Sequence, residues 1–312
     1  MLRPRYNKND LGFSLALVVL IYLFVALIGS TVLQLVLCKV NGISFKDFAA
    51  NNIDIKTLRG YDIGNIVLMA VSGISIGASA FIYAAITKTN VVKATTMGVK
   101  PPIAHIGWGV LATLFLITMM VPLNNWIMEG IEKLGFKKPS VDIDMDIVSM
   151  IIIACVLPAF TEEMIFRGTI AQSVVGNKNK LASLATVGAL FALFHMNPAQ
   201  TVHQFVLGAF MALVVFRSGS IWTSVIIHLV NNLTAVILSA VGGDAFFEAN
   251  AIWLFFVGLV GFAGCVVGYL FTTKSKWIVD EEQTVGTTAS KVCLGVSIGI
   301  CAILWVVSLL VG

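Results

Sequence analysis

Charge is scarce in this chain. Lys, Arg, Asp and Glu together make 12% of its 312 residues, about half of what an ordinary soluble domain carries. Hydrophobic residues make 58% and the mean hydropathy is +0.94. Such a chain cannot cover its surface with polar groups in water, so the two soluble domains its length would allow are excluded. An integral membrane protein is expected instead. The net charge of +4 is too small to point to nucleic acid. Cys38, Cys155, Cys265, Cys293 and Cys301 form no CxxC pair, which argues against a disulfide framework or a zinc knuckle. HExxH, the usual helical zinc motif, is absent at every histidine. No repeat, low-complexity tract or soluble domain stands out, and the loops 39–62 and 129–146 are too short to fold by themselves.

What the chain has in quantity is apolar runs. A spanning helix needs about 20 mostly apolar residues. Candidates are 11–38, 63–87, 103–128, 147–175, 181–196, 200–216, 220–241, 252–272 and 292–311. The expected fold is therefore all-α, with about nine transmembrane helices, eight being the alternative count. Asn197-Pro198 breaks the uncharged stretch that the fifth and sixth share. The run 11–38 is longer than a signal-peptide core and reads as a retained first helix. The chain divides into N-terminal helices (1–145), a core (146–241) and C-terminal helices (242–312).

Cation placement gives an orientation. With the N-terminus inside, inner segments hold Arg3, Arg5, Lys8, Lys88, Lys93, Lys100, Arg167, Lys178, Lys180, Arg217, Lys274, Lys276 and Lys291. Outer segments hold Lys39, Lys46, Lys56, Arg59, Lys133, Lys137 and Lys138. The excess favours a cytoplasmic N-terminus.

Against this apolar background, PAFTEEMIFRG (158–168) is out of place. Ionisable groups in a spanning helix cost about 2.5–3.5 kcal/mol each on insertion scales and are usually functional. Glu163 and Arg167 are i,i+4 and share a helix face. Glu162 points about 100° away from Glu163. Arg167 is thus expected to pair with Glu163, leaving Glu162 to face something else. Pro158 releases the carbonyl of Ala154 and can kink the helix. A structural ion pair would explain Glu163 and Arg167 but not Glu162.

Glu162 lies sixteen residues before Lys178 and His195 seventeen after it. In an antiparallel hairpin turning there, the two sit at one height. His228 lies about 14 Å along the seventh helix from Gly219, within reach of the same layer. Asn232, at i+4, shares its face. Asn231 is rotated away and reads as a packing residue close enough to keep in view. His105 and His203 sit near helix ends with no charged partner in sequence and read as structural. A lone intramembrane His or Asn is more often interhelical glue; one Glu, two His and one Asn at compatible depth are harder to dismiss.

That set suits hydrolysis of an amide bond. A buried carboxylate can act as general base on water. One His can orient that water, or the two groups can bind a metal. A second His and an Asn amide can donate to a developing oxyanion. GxSxG occurs at Gly73–Gly77 and Gly295–Gly299, but inside apolar helices rather than at a strand–turn–helix elbow. There Gly-x-x-x-Gly reads as close helix packing.

Glu162-Glu163-Met-Ile-Phe-Arg167, Phe191-Ala-Leu-Phe-His195 and His228-Leu-Val-Asn-Asn232 resemble the motifs EExxxR, FxxxH and HxxxN/D of the CPBP intramembrane proteases, also called the Abi or CAAX prenyl protease type 2 family. The resemblance covers about 148–240. It implies a helical membrane fold with a polar cavity opening within the bilayer. Glu162 and His195 would activate water, His228 and Asn232 would stabilise the oxyanion, and Arg167 would orient the glutamates. It implies a membrane-associated peptide or protein substrate. Eukaryotic members remove the C-terminal tripeptide of prenylated CAAX proteins, and bacterial members are tied to bacteriocin immunity and surface-protein processing. The short loops suggest a bacterial cell-membrane member. The family is commonly named metalloprotease, so Glu162, His195 and His228 are the ligands if a divalent metal such as zinc binds; a metal-independent glutamate mechanism is the alternative. A secondary transporter and a non-catalytic immunity or scaffold protein are the rival readings, although no inverted repeat is found and every motif residue is in place.

Overall fold

The computed structural model describes residues 10–50, 53–136, 145–277 and 287–311. Helices dominate, and no strand occurs among the described residues. The nine apolar runs all fold as helical stretches: α1 (Leu11–Val40), α2 (Tyr61–Ile86), α3 (Ile103–Lys133), α4 (Ile147–Ser173), α5 (Lys180–Phe194), α6 (Thr201–Ser218), α7 (Ile221–Ala240), α8 (Ala251–Thr272) and α9 (Thr288–Val311). Eight of these regions are long and apolar enough to cross a membrane. The exception is α5. Its 15 residues rise about 22 Å, short of a hydrocarbon core about 30 Å thick. The protein is thus multi-pass, with eight candidate spans rather than nine. Of the cations used to orient the chain, Arg3, Arg5, Lys8, Lys137 and Lys138 lie outside the described residues.

The outer surface is apolar. Leu20, Phe24 and Leu27 of α1 and Trp253, Val260 and Phe271 of α8 are all largely exposed. In a bilayer such side chains face lipid, and every backbone polar group must be satisfied inside the protein.

The chain builds around α4. Asp146 caps its start, accepting from the backbone N–H groups of Val148 and Ser149 at 3.0 Å each. Hydrogen bonds from Ser149, its hydroxyl first, hold the Asp146 carboxyl below the usual carboxylate range. Two wide turns interrupt α4, at Ile151–Val156 and Phe166–Ile170. The first runs directly into Pro158, which has no N–H to offer Ala154 and would crowd it in a regular helix. Widening relieves that clash, and Asn232 of α7 supplies the donor: its Nδ2 lies 3.0 Å from the Ala154 oxygen. Such π-type bulges recur at functional sites. Here the two bracket the glutamates.

Three close approaches fix α4 and its neighbours. Gly73 and Gly77 of α2 lie against Leu157 and Thr161, so close that a Cβ on Gly77 would sit 2.9 Å from Thr161 Cγ2. The expected packing seam is therefore present at this pair. It is not at the other: a Cβ on Gly295 or Gly299 would meet nothing within 4 Å. Within the α5–α6 hairpin, Gly188 and Gly208 bring the two backbones together. The hairpin turns where Met196 adopts a left-handed φ of 49°. Asn197 then caps the turn, accepting from Ala199 N–H at 2.9 Å. At the other side, α1 packs against both α2 and α9, and the Ser290 hydroxyl donates to the Asp10 carboxylate.

Candidate active site

The six candidate catalytic residues form two pairs, a histidine that joins the deeper one, and one amide. The deeper pair is Glu163 and Arg167, both with fully buried side chains. Arg167 Nη1 donates to Glu163 Oε1 at 2.6 Å, one turn apart as the spacing requires. Arg167 Nη2 donates to the carbonyl of Gly208 at 3.2 Å, tying α4 to α6. The guanidinium also lies 4.2 Å above the centre of the Phe191 ring, a favourable cation–π position. A charge this deep needs such partners, because an unpaired buried ion costs several kcal/mol.

His228 joins this pair rather than Glu162. Its Nδ1 lies 3.0 Å from Glu163 Oε1. Glu163 thus holds a cation below and an imidazole above. Sequence spacing placed His228 in the right layer but could not give the rotation of α7 that chooses between two adjacent glutamates.

The shallower pair is Glu162 and His195. Their side chains are 15% and 16% exposed, whereas Glu163 and Arg167 are sealed. Glu162 Oε2 and His195 Nε2 face each other at 3.8 Å, beyond hydrogen-bond length. His195 Nδ1 lies 2.8 Å from the Phe191 carbonyl oxygen. A carbonyl only accepts, so Nδ1 carries the proton, and when the ring is neutral it is the Nε2 lone pair that faces Glu162. Glu162 Oε2 has no hydrogen-bond partner in the protein. Two acceptors therefore converge on one small space.

Phe191 explains the aromatic position of its motif. Its ring supports Arg167, its edge contacts are with His195 (4.7 Å between centroids) and His228 (5.9 Å), and its carbonyl sets the His195 tautomer.

The amide is Asn232, which donates to Ala154 and accepts from Asn231 Nδ2 at 3.0 Å. Asn231 Oδ1 in turn lies 3.0 Å from His203 Nε2. His203, read from sequence as a structural residue, is therefore part of the network. It follows a helix break and has no charged partner, so nothing in its neighbourhood signalled this. His105 instead pairs with the Tyr269 hydroxyl of α8 at 2.8 Å. Tyr22 of α1 went unnoticed in the sequence. Its ring packs 5.5 Å from that of Phe194, and it lies within electrostatic range of Glu162.

The metal-ligand set does not assemble. His228 is engaged with Glu163, and no group of three His, Cys, Asp or Glu side chains among the described residues is arranged to hold a metal. Catalytic zinc ordinarily takes three protein ligands, and Glu162 with His195 supplies two.

Residues 144–234 match a family model described as Rce1-like, type II CAAX prenyl endopeptidase Rce1-like. Comparisons with curated proteins and with solved structures found no match. All seven motif residues, Phe191 included, fall inside the matched segment. Over 144–234 the chain is therefore similar to the type II CAAX prenyl endopeptidases of the CPBP family, which are CAAX-type intramembrane proteases.

Proposed function

We propose that the protein is an intramembrane endopeptidase that hydrolyses a peptide bond of a membrane-associated substrate, of prenylated CAAX type or bacteriocin-related. The observation that carries this reading is the facing pair of acceptors, Glu162 Oε2 and His195 Nε2, at 3.8 Å. A water about 2.8 Å from each would donate one proton to each. Its lone pairs would then be free to attack a carbonyl carbon. Glu162 takes the proton as the new C–O bond forms, the carbonyl electron pair moves onto oxygen, and Glu162 returns the proton to the departing amine as the C–N bond breaks.

The developing oxyanion needs donors. Asn232 has one N–H beyond the one it gives to Ala154. His228 donates through Nδ1 to Glu163, and a proton on Nε2 as well would let it donate to the oxyanion. Glu163 and Arg167 act on the reaction through His228 and through Phe191. No step here passes through a metal. On this reading, which the cation distribution supports, the N-terminus lies in the cytoplasm of a bacterial cell, and residues 146–241 carry the chemistry between flanking helices.

The test compares wild type with Glu162→Gln, purified in detergent, on a peptide library that includes prenylated peptides. Mass spectrometry reads the products, with and without chelator. Cleavage by wild type alone supports a Glu162-dependent protease. Equal cleavage by both sinks the mechanism, and cleavage by neither favours a scaffold or transporter.

A further inference from the structure

His203 belongs to none of the three motifs, yet it begins a hydrogen-bond chain that ends at one of them. Its Nε2 contacts Asn231 Oδ1 at 3.0 Å, Asn231 Nδ2 contacts Asn232 Oδ1 at 3.0 Å, and Asn232 Nδ2 contacts the Ala154 oxygen at 3.0 Å. The last acceptor is a carbonyl and cannot donate, which fixes the direction of every bond before it. Asn232 must present its nitrogen to Ala154 and its oxygen to Asn231. Asn231 must then present its nitrogen to Asn232 and its oxygen to His203. His203 must carry its proton on Nε2.

An amide has nearly equal shape in its two flipped forms, so hydrogen bonds choose between them. Ala154 offers only an acceptor, and it offers one because Pro158 gives it no N–H. His203 is the donor at the other end. Without it, Asn231 Oδ1 becomes a buried acceptor without this partner, in a residue only 4% exposed, at a substantial desolvation cost. Turning Asn231 over would bring its oxygen against Asn232 Oδ1, and Asn232 cannot turn over to relieve the clash without setting its own oxygen against the Ala154 carbonyl. Either way Asn232 loses one of the two bonds that hold its amide, and the N–H that the oxyanion needs is no longer fixed in place.

We propose that His203 is a positioning residue. As the terminal donor of the chain through Asn231, it fixes the side-chain amide of Asn232 with an N–H directed at the substrate carbonyl. This rests on the oxyanion role given to Asn232 above, and the test separates the two.

The full chain, labelled with 15N-asparagine and reconstituted in lipid, gives side-chain amide signals by magic-angle-spinning NMR. Asn232→Ala assigns the Asn232 signal. His203→Leu, which fills the space without a donor, is expected to move that signal. His203→Gln, which restores a donor, is expected to return it toward the wild-type position. Cleavage of the peptide identified for wild type is expected to fall about 10- to 100-fold in kcat for His203→Leu with little change in KM, and to recover in His203→Gln. An Asn232 signal that stays in place in His203→Leu overturns the proposal, as does one displaced equally in both His203 variants. If the signal behaves as expected but Asn232→Ala cleaves at the wild-type rate, the positioning chain stands and the oxyanion reading of Asn232 falls.

Discussion

Arg167 reaches out of its own helix to the backbone of another: its Nη2 lies 3.2 Å from the carbonyl oxygen of Gly208. With Nη1 on Glu163 at 2.6 Å, this guanidinium joins the helix of the glutamates to the hairpin of His195. Arg167→Leu leaves the Glu163 charge buried without its cation and is expected to cost about 3–5 kcal/mol. Pairing it with Glu163→Gln removes that charge and should recover much of the loss. Thermal unfolding of the three variants in detergent checks the order: wild type above the double variant, the double variant above Arg167→Leu.

Gly208 itself has little room for a side chain. A Cβ there would lie 3.0 Å from Phe191 Cδ1 and 3.1 Å from Gly188 Cα. Gly208→Ala is expected to lower stability by about 1–3 kcal/mol through overpacking. Because Phe191 also carries Arg167 and the His195 tautomer, peptide cleavage should fall further than the loss of folded protein explains. Cleavage rate per folded molecule, measured beside the melting temperature, decides this.

Pro158→Ala offers a separation of stability from activity. The new N–H can bond the Ala154 carbonyl, and an Ala in a helix interior is favoured over Pro by about 3 kcal/mol. The melting temperature should hold or rise. Asn232 loses its claim on Ala154, so cleavage is expected to drop about tenfold. A variant that melts higher and cleaves as well as wild type would remove the Asn232–Ala154 bond from the mechanism.

Glu162→Gln keeps the size of the side chain and removes the base. Its effect on folding should be small, since Glu162 Oε2 has no hydrogen-bond partner in the protein. Its effect on cleavage should be about 10²- to 10⁴-fold, the range general-base catalysis supplies. With only two candidate metal ligands, Glu162 and His195, facing each other, chelators are expected to leave the wild-type rate unchanged. Loss of cleavage in chelator, restored by zinc, would require His228 to leave Glu163.

Much of this architecture could be read from residues alone. The apolar runs set the helices, Asn197-Pro198 set the turn between α5 and α6, and i,i+4 spacing set Glu163 on Arg167. Counting from Lys178 brought Glu162 and His195 to one height. What spacing could not supply was rotation about each helix axis. That angle gives His228 to Glu163 rather than Glu162, and brings His203 onto Asn231. It also turns Gly73 and Gly77 inward while Gly295 and Gly299, with the same spacing, face outward. The run 181–196, ended by Asn197-Pro198, is already shorter than the roughly 20 residues a span needs, and the helix it forms stops at Phe194, before the left-handed turn at Met196.

The Gly73–Gly77 seam bears on how this protein could be divided. Residues 144–234 are recognisable as a unit, but α2 lies outside them and is keyed into α4 one turn before Glu162. Cutting the chain to its matched segment would strip that brace and leave Leu157 and Thr161 facing lipid across a slot shaped for glycine. The recognisable part is therefore expected to need residues 61–86 beside it: a minimal version of this chain would keep them, and grafting the motifs onto another bundle would call for a small-residue helix with them.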